Sequence, residues 1–274
     1  MTSSLFGDEL AVRRSDSSGP PPTNDTSRRR LGLEAVLLLG VSLGMSGLFS
    51  LVNFLDIQTR GGFRNATATL NPSQSPRDWV DLSYQLLDVL NGLVPALLAL
   101  LLLARIPGRP GPTGFSIGFD GQAWRREILQ GMGFAALIGI PGLGLVALAR
   151  ELGINATLDA SGIADVWYRY PVLVLSGIQN GVLEEVVVVG YLLTRLWQLD
   201  WAPWTAIVVA AILRGSYHLY QGVGGFLGNF VMGLIFGWWF TRTKRVLPLV
   251  IAHSIIDIVS FVVYAALHGK VSWI

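Results

Sequence analysis

The chain has 274 residues, of which 51% are hydrophobic and only 14% charged, with a formal net charge of +2. An ordinary soluble domain carries roughly 25% charged residues, so this balance points to a protein solvated by a lipid bilayer and to no nucleic-acid partner. The chain lacks cysteine, which excludes disulfide frameworks, thiolate metal sites and cysteine nucleophiles; carboxylates, hydroxyls and three histidines are left to carry any chemistry.

Residues 1–27 are rich in Ser, Pro, Asp and Thr, cannot bury enough apolar surface to fold, and read as a disordered cytoplasmic tail ahead of a membrane domain over 28–274. Arg28, Arg29 and Arg30 precede the apolar run Leu31 to Leu55, which at about 25 residues is long enough for a ~30 Å hydrocarbon core. The arginines resemble a twin-arginine export signal. The apolar run is longer than a signal core and has no small-x-small cleavage site, so a retained first helix is expected. Its Gly40 and Gly44 have the spacing of a close helix contact.

A polar loop with Pro72 and Pro76 leads to a second span, about Trp79 to Ala104. There Asp81 is expected near the interface, and Asp88 is a candidate for a polar interior. The connection RIPGRPGPTGFSIGF, with arginines at both ends, cannot be a regular helix; a short or re-entrant helix around 115–126 stays open. A third span, about Ile128 to Ala149, is interrupted by Pro141, and a polar connection ends in Trp167, Tyr168 and Tyr170, an interfacial aromatic cluster. Four more spans follow, at about Pro171 to Trp197, Trp201 to Tyr220, Gly224 to Phe240 and Val246 to Leu267. In the third of these, Gly224, Gly228, Gly233 and Gly237 form two small-residue pairs. The expected fold is an all-α, polytopic transmembrane bundle of about seven or eight helices around a polar cavity. A cytoplasmic N-terminus puts roughly 13 basic residues inside and roughly 6 outside, in keeping with the positive-inside bias.

The fourth span holds VLEEVVVVGYLL, with Glu184 and Glu185 side by side in an apolar run. An unpaired charge at the bilayer centre costs from about 2.5 to well over 10 kcal/mol, so such carboxylates call for partners. Helical neighbours point about 100° apart, so the two cannot face one partner equally; one could do chemistry while a counter-charge holds the other. Two further spans carry polar pairs at i, i+4, Arg214 with His218 and His253 with Asp257, each pair on one helix face. A single polar cavity would satisfy all six groups. A carboxylate beside two imidazoles can deprotonate a water, alone or on a divalent metal such as zinc held by Glu184, His218 and His253. Base and histidines lie on different helices, unlike the HExxH arrangement.

EEVVVVGYLL, LRGSYHLYQG and AHSIID, in this order on three successive hydrophobic regions, resemble the motifs of the CAAX protease and bacteriocin-processing family (CPBP, also called ABI) of intramembrane endopeptidases, over about residues 165–265. The resemblance implies that Glu184 activates the attacking water, Glu185 supports it, His218 and His253 complete the centre, and Asp257 lies near the oxyanion. It implies a membrane-associated protein or peptide substrate. With the arginine-heavy composition, it suggests a bacterial cell membrane. Two positions depart from the family pattern: Val189 stands where Glu-Glu-x-x-x-Arg has arginine, and Arg214 where Phe-x-x-x-His has phenylalanine. Arg214 is therefore expected to pair with Glu185, the cation having moved from one helix to another. The rival readings are an inactive scaffold or immunity-type binding protein of the same fold, and a transporter or proton relay. Rise per residue also poses a puzzle. From the inner helix ends, Glu184 and His218 come out roughly 20 and 25 Å deep, but His253 only about 10 Å.

Overall fold

The computed structural model describes residues 25–104, 117–119, 123–267 and 270. Most of the expected tail and of the Pro/Gly-rich connection lies outside these residues. In order come α1 (Asp25–Gly40), α2 (Leu43–Thr59), β1 (Thr67–Thr69), α3 (Asp78–Ala104), α4 (Trp124–Glu151), β2 (Thr157–Asp159) and α5 (Arg169–Glu184). A wide, π-type coil (Glu185–Leu192) follows, then α6 (Leu193–Gln198), α7 (Pro203–Ser216), α8 (Val223–Thr243) and α9 (Leu247–Leu267). Backbone groups have no water partner in hydrocarbon, so apolar runs of this length close their hydrogen bonds internally as helices. α3, α4, α5 with α6, α8 and α9 are long and apolar enough to cross a membrane. The α1–α2 pair qualifies together as one broken span, and α7 is a shorter apolar helix. The protein is an integral membrane helical bundle.

The first span is bent by 53° between α1 and α2, where one continuous helix was expected. Ser42 Oγ donates to the Leu38 carbonyl at 2.6 Å, and a Cβ on Gly44 would meet the Leu39 carbonyl oxygen at 2.8 Å. The bend thus has its source in a back-bonding serine and a glycine at the break. Among the described residues nothing packs on Gly40, and Gly44 meets only Leu39 across the bend; Gly47 faces Ser216, the last residue of α7. Of the paired glycines on α8, Gly233 and Gly237 pack on Ala211 and Ile207 of α7, and Gly224 on Ala149 of α4.

The two aspartates of α3 differ in burial. Asp81 is buried, accepting the Tyr168 hydroxyl at 2.8 Å and the Gln74 amide N–H at 2.5 Å, whereas Asp88 is exposed and accepts from Gln74 Nε2 at 2.6 Å. Burial, and then the Asp81 carboxylate, push the Tyr168 phenol from its usual 10.0 up to about 12. Its folded value exceeds its unfolded one, so the tie is intact at neutral pH and its stabilisation is lost as pH climbs between those values. Tyr168→Phe strips a buried carboxylate of its hydroxyl donor and is expected to cost about 1–3 kcal/mol, read as a lower thermal midpoint in detergent micelles. The loops that hold these groups also pair as strands: β1 and β2 run parallel, Thr67 to Thr69 against Thr157 to Asp159, an element the polar sequence did not announce.

The core that positions the site is the crossing of α5 with α9. Gly177 and Gly181 lie directly on α9; a Cβ on Gly181 would overlap Ser254 Oγ and stand 2.9 Å from the Val250 carbonyl oxygen. Backbone-to-backbone approach at this point puts the end of α5 beside His253. Gly181→Val is expected to destabilise the bundle by roughly 1–3 kcal/mol through overpacking, lowering its thermal midpoint. Gly139→Ala on α4, whose new Cβ among the described residues meets only Ile256 at 3.5 Å, is the control expected to leave the midpoint in place.

Candidate active site

Four valines in succession follow Glu185. β-Branched side chains crowd the i, i+3 and i, i+4 positions of an α-helix, and the chain relaxes into the wide coil Glu185–Leu192, buried along its whole length. Such a coil rises less per residue than an α-helix. The end of α5 and His253 meet directly, Glu185 Oε1 lying 2.8 Å from His253 Nδ1.

Arg214, fully buried near the end of α7, sits at the centre of the cluster. Its Nη1 and Nη2 donate to Glu185 Oε2 and Oε1 at 3.1 and 2.5 Å, the two-pronged geometry a guanidinium offers a carboxylate. Nη2 also lies 3.4 Å from Glu184 Oε2 and 3.0 Å from His253 Nδ1, and the guanidinium stands 5.5 Å from the centre of the Phe236 ring. Both glutamates therefore meet one cation, unequally. Glu185 is fully buried and bound tightly, while Glu184 keeps only the longer contact.

His253 Nδ1 lies 2.8 Å from Glu185 Oε1. His253 Nε2 is turned toward Asp257, whose Oδ1 is 3.7 Å away. Asp257 Oδ2 accepts from Asn180 Nδ2 at 2.8 Å. His218 arrives differently from expectation. The fifth span ends at Ser216, and His218 lies in the following turn, ahead of a short 3₁₀ turn (Leu219–Gln221) that closes on Gly222 at φ +114°. Its Nε2 is 3.8 Å from Glu184 Oε2 and buried without a hydrogen-bond partner among the described residues. Both Arg214 and His218 reach Glu184 although they do not share a helix face.

Two members of the cluster were not assigned to it from the sequence, although Asn180 stands out as a polar residue inside the span. Tyr217 donates its hydroxyl to Glu184 Oε2 at 2.7 Å, and Asn180 holds Asp257. Asn180 precedes Glu184 by four residues, so the i, i+4 rule applied to the histidine motifs would have picked it out. No periodicity singles out Tyr217, because the helix stops one residue before it.

The proposed metal set Glu184, His218 and His253 does not form a coordination site. Among the described residues no group of three or more His, Asp or Glu side chains is arranged around a common point. Arg214 Nη2 contacts both Glu184 Oε2 and His253 Nδ1, and a dication there would face a guanidinium at contact distance.

Fold and site together define a polytopic helical membrane protein with a buried carboxylate, guanidinium and imidazole centre. Residues 166–259 match the family model described as type II CAAX prenyl endopeptidase Rce1-like, which belongs to the CPBP family. The matched segment runs from the turn before α5 into α9 and takes in all three motifs; the family whose model it matches is generally composed of proteases. No curated protein and no solved structure matched the chain.

Proposed function

We propose that the protein is an intramembrane endopeptidase in which Glu184 takes a proton from water as that water attacks a substrate carbonyl. The observation that carries this reading is the unequal treatment of the two glutamates. Arg214 bonds both oxygens of Glu185, while the contacts to Glu184 from the described residues fall on Oε2, leaving Oε1 as the proton acceptor. An anchored carboxylate with one free oxygen, shielded from bulk water, suits a general base. His218 Nε2, buried and unpartnered beside Glu184, is the group within reach of the attacking water or the carbonyl oxygen; Tyr217 and Arg214 supply further hydrogen-bond donors nearby. The His253–Asp257–Asn180 chain orients the far side of the centre. In this reading Arg214 takes over the task of the arginine that Val189 displaces.

The substrate is a membrane-associated polypeptide, and the distribution of basic residues favours a cytoplasmic N-terminus in a bacterial cell membrane. The purified protein in lipid nanodiscs, incubated with solubilised membrane proteins in oxygen-18 water, is expected to create new carboxyl termini carrying the heavy oxygen, detected by mass spectrometry. Glu184→Ala and His218→Ala should abolish these termini while the protein stays folded. Unlabelled membranes with wild-type protein, or identical products from the variants, would refute hydrolysis at this centre.

A further inference from the structure

The turn that carries His218 is fixed through its backbone. The Gln221 N–H donates to the His218 carbonyl at 3.0 Å, the Tyr220 N–H to Ser50 Oγ of α2 at 2.7 Å, and the Ala156 N–H, just before β2, to the Gln221 carbonyl at 2.9 Å. The rings of Tyr217 and Tyr220 lie 4.9 and 6.4 Å from the imidazole, centre to centre, and help to set its plane. None of these contacts involves a ring nitrogen. They orient the imidazole without deciding which nitrogen carries its proton, and that choice falls to whatever bonds the ring edge.

The Gln221 side chain makes that bond. It folds back over the turn into room left by Gly225, where a Cβ would stand 2.8 Å from Gln221 Cβ and 3.1 Å from its Oε1. Its Nε2 lies 2.9 Å from the Tyr220 hydroxyl oxygen and 3.3 Å from His218 Nδ1. A carboxamide nitrogen donates two protons and accepts none, so one serves each neighbour and Nδ1 is the acceptor. The opposite edge of the ring agrees. Nε2 faces Glu184 Oε2 at 3.8 Å, and an ionised carboxylate, which only accepts, is complemented there by an N–H. With the amide turned over, its oxygen would take a proton on Nδ1, and a bare Nε2 would set its lone pair against those of the carboxylate.

Resting on the protease reading, we infer that Gln221 is a positioning residue: its carboxamide keeps the His218 proton on Nε2, so that His218 donates a hydrogen bond into the space beside Glu184 where water and substrate carbonyl meet. The proton of the attacking water then goes to Glu184, and the imidazole steadies an oxygen there.

The chain has only three histidines, so the tautomer can be read directly by nitrogen-15 NMR of the full-length, histidine-labelled protein in lipid nanodiscs. At alkaline pH, where imidazoles are neutral, bare and protonated ring nitrogens differ widely in shift; the His218 signals are those lost in His218→Gln. Wild type is expected to show a bare Nδ1 and a protonated Nε2 at His218. Gln221→Met removes the donor at similar length and should populate both tautomers, lowering kcat about tenfold at unchanged KM. Gln221→Glu presents an acceptor instead, and should move the proton to Nδ1 and lower kcat further. The backbone bonds of the turn are common to all three proteins, so their thermal midpoints should stay together. A proton on Nδ1 in wild type, or one His218 tautomer shared by all three proteins, would overturn the inference. The spectra need no turnover, so the expected tautomers in a protein that cleaves nothing would count against the protease reading alone.

Discussion

Glu184→Gln is expected to lower peptide-bond cleavage by about 10²–10⁴-fold, the usual worth of a positioned general base, with little change in KM. Glutamine keeps the shape of the side chain and an oxygen that can accept the Tyr217 hydroxyl, so the 2.7 Å anchor survives while the proton acceptor is lost. The carboxylate's longer contact to Arg214, at 3.4 Å, is the smaller part of that cation's pairing, and the thermal midpoint should therefore move only slightly. The decisive measurement is product formation by purified variant and wild type in the same lipid, alongside their unfolding curves. Residual cleavage within a few-fold of wild type would remove Glu184 from the role of base. A collapse of the midpoint would recast it as a structural residue.

The second large effect concerns Arg214. Removing it by Arg214→Leu leaves Glu185 fully buried with no guanidinium, and breaking one partner out of a buried pair costs about 3–5 kcal/mol. Glu185→Gln should cost less, because Arg214 retains Glu184 and the face of Phe236. In the double variant Glu185→Gln/Arg214→Leu no unpaired charge remains at this position, and part of the loss should return. Unfolding midpoints of the four proteins close a double-mutant cycle, and simple additivity would show that the pair is not coupled. Arg214→Lys is an informative fifth member. An ammonium keeps the charge but cannot bond both oxygens of Glu185 in a plane, so stability should fall between those of wild type and Arg214→Leu.

Most of the cluster could be named before any coordinates, since ionisable groups are costly in hydrocarbon and stand out wherever they occur. Glu184, Glu185, Arg214, His218, His253 and Asp257 were singled out on that ground, and all six lie within one connected set of contacts. Seven apolar segments were equally visible, because a run of this length has few other ways to satisfy its backbone. Their limits were less so. The break after Gly40 and the end of α7 at Ser216 depend on a serine hydroxyl, a glycine contact and the fit of a following turn, none of which moves a hydropathy average.

Hydropathy and helical spacing act within one or two turns, and so composition and order alone settled that this is a membrane bundle and which side chains must hide from lipid; the shared face expected for Arg214 and His218 failed because α7 stops before His218. What they could not settle was which oxygen meets which nitrogen. Asp81 and not Asp88 is buried, Tyr217 and Asn180 join the cluster, and Arg214 stands where a metal would have to sit, because helices cross at Gly181 and uncoil through four valines. Those crossings bring together residues some 30 to 80 positions apart along the chain, and their geometry follows from close packing between helices. No local pattern carries that information.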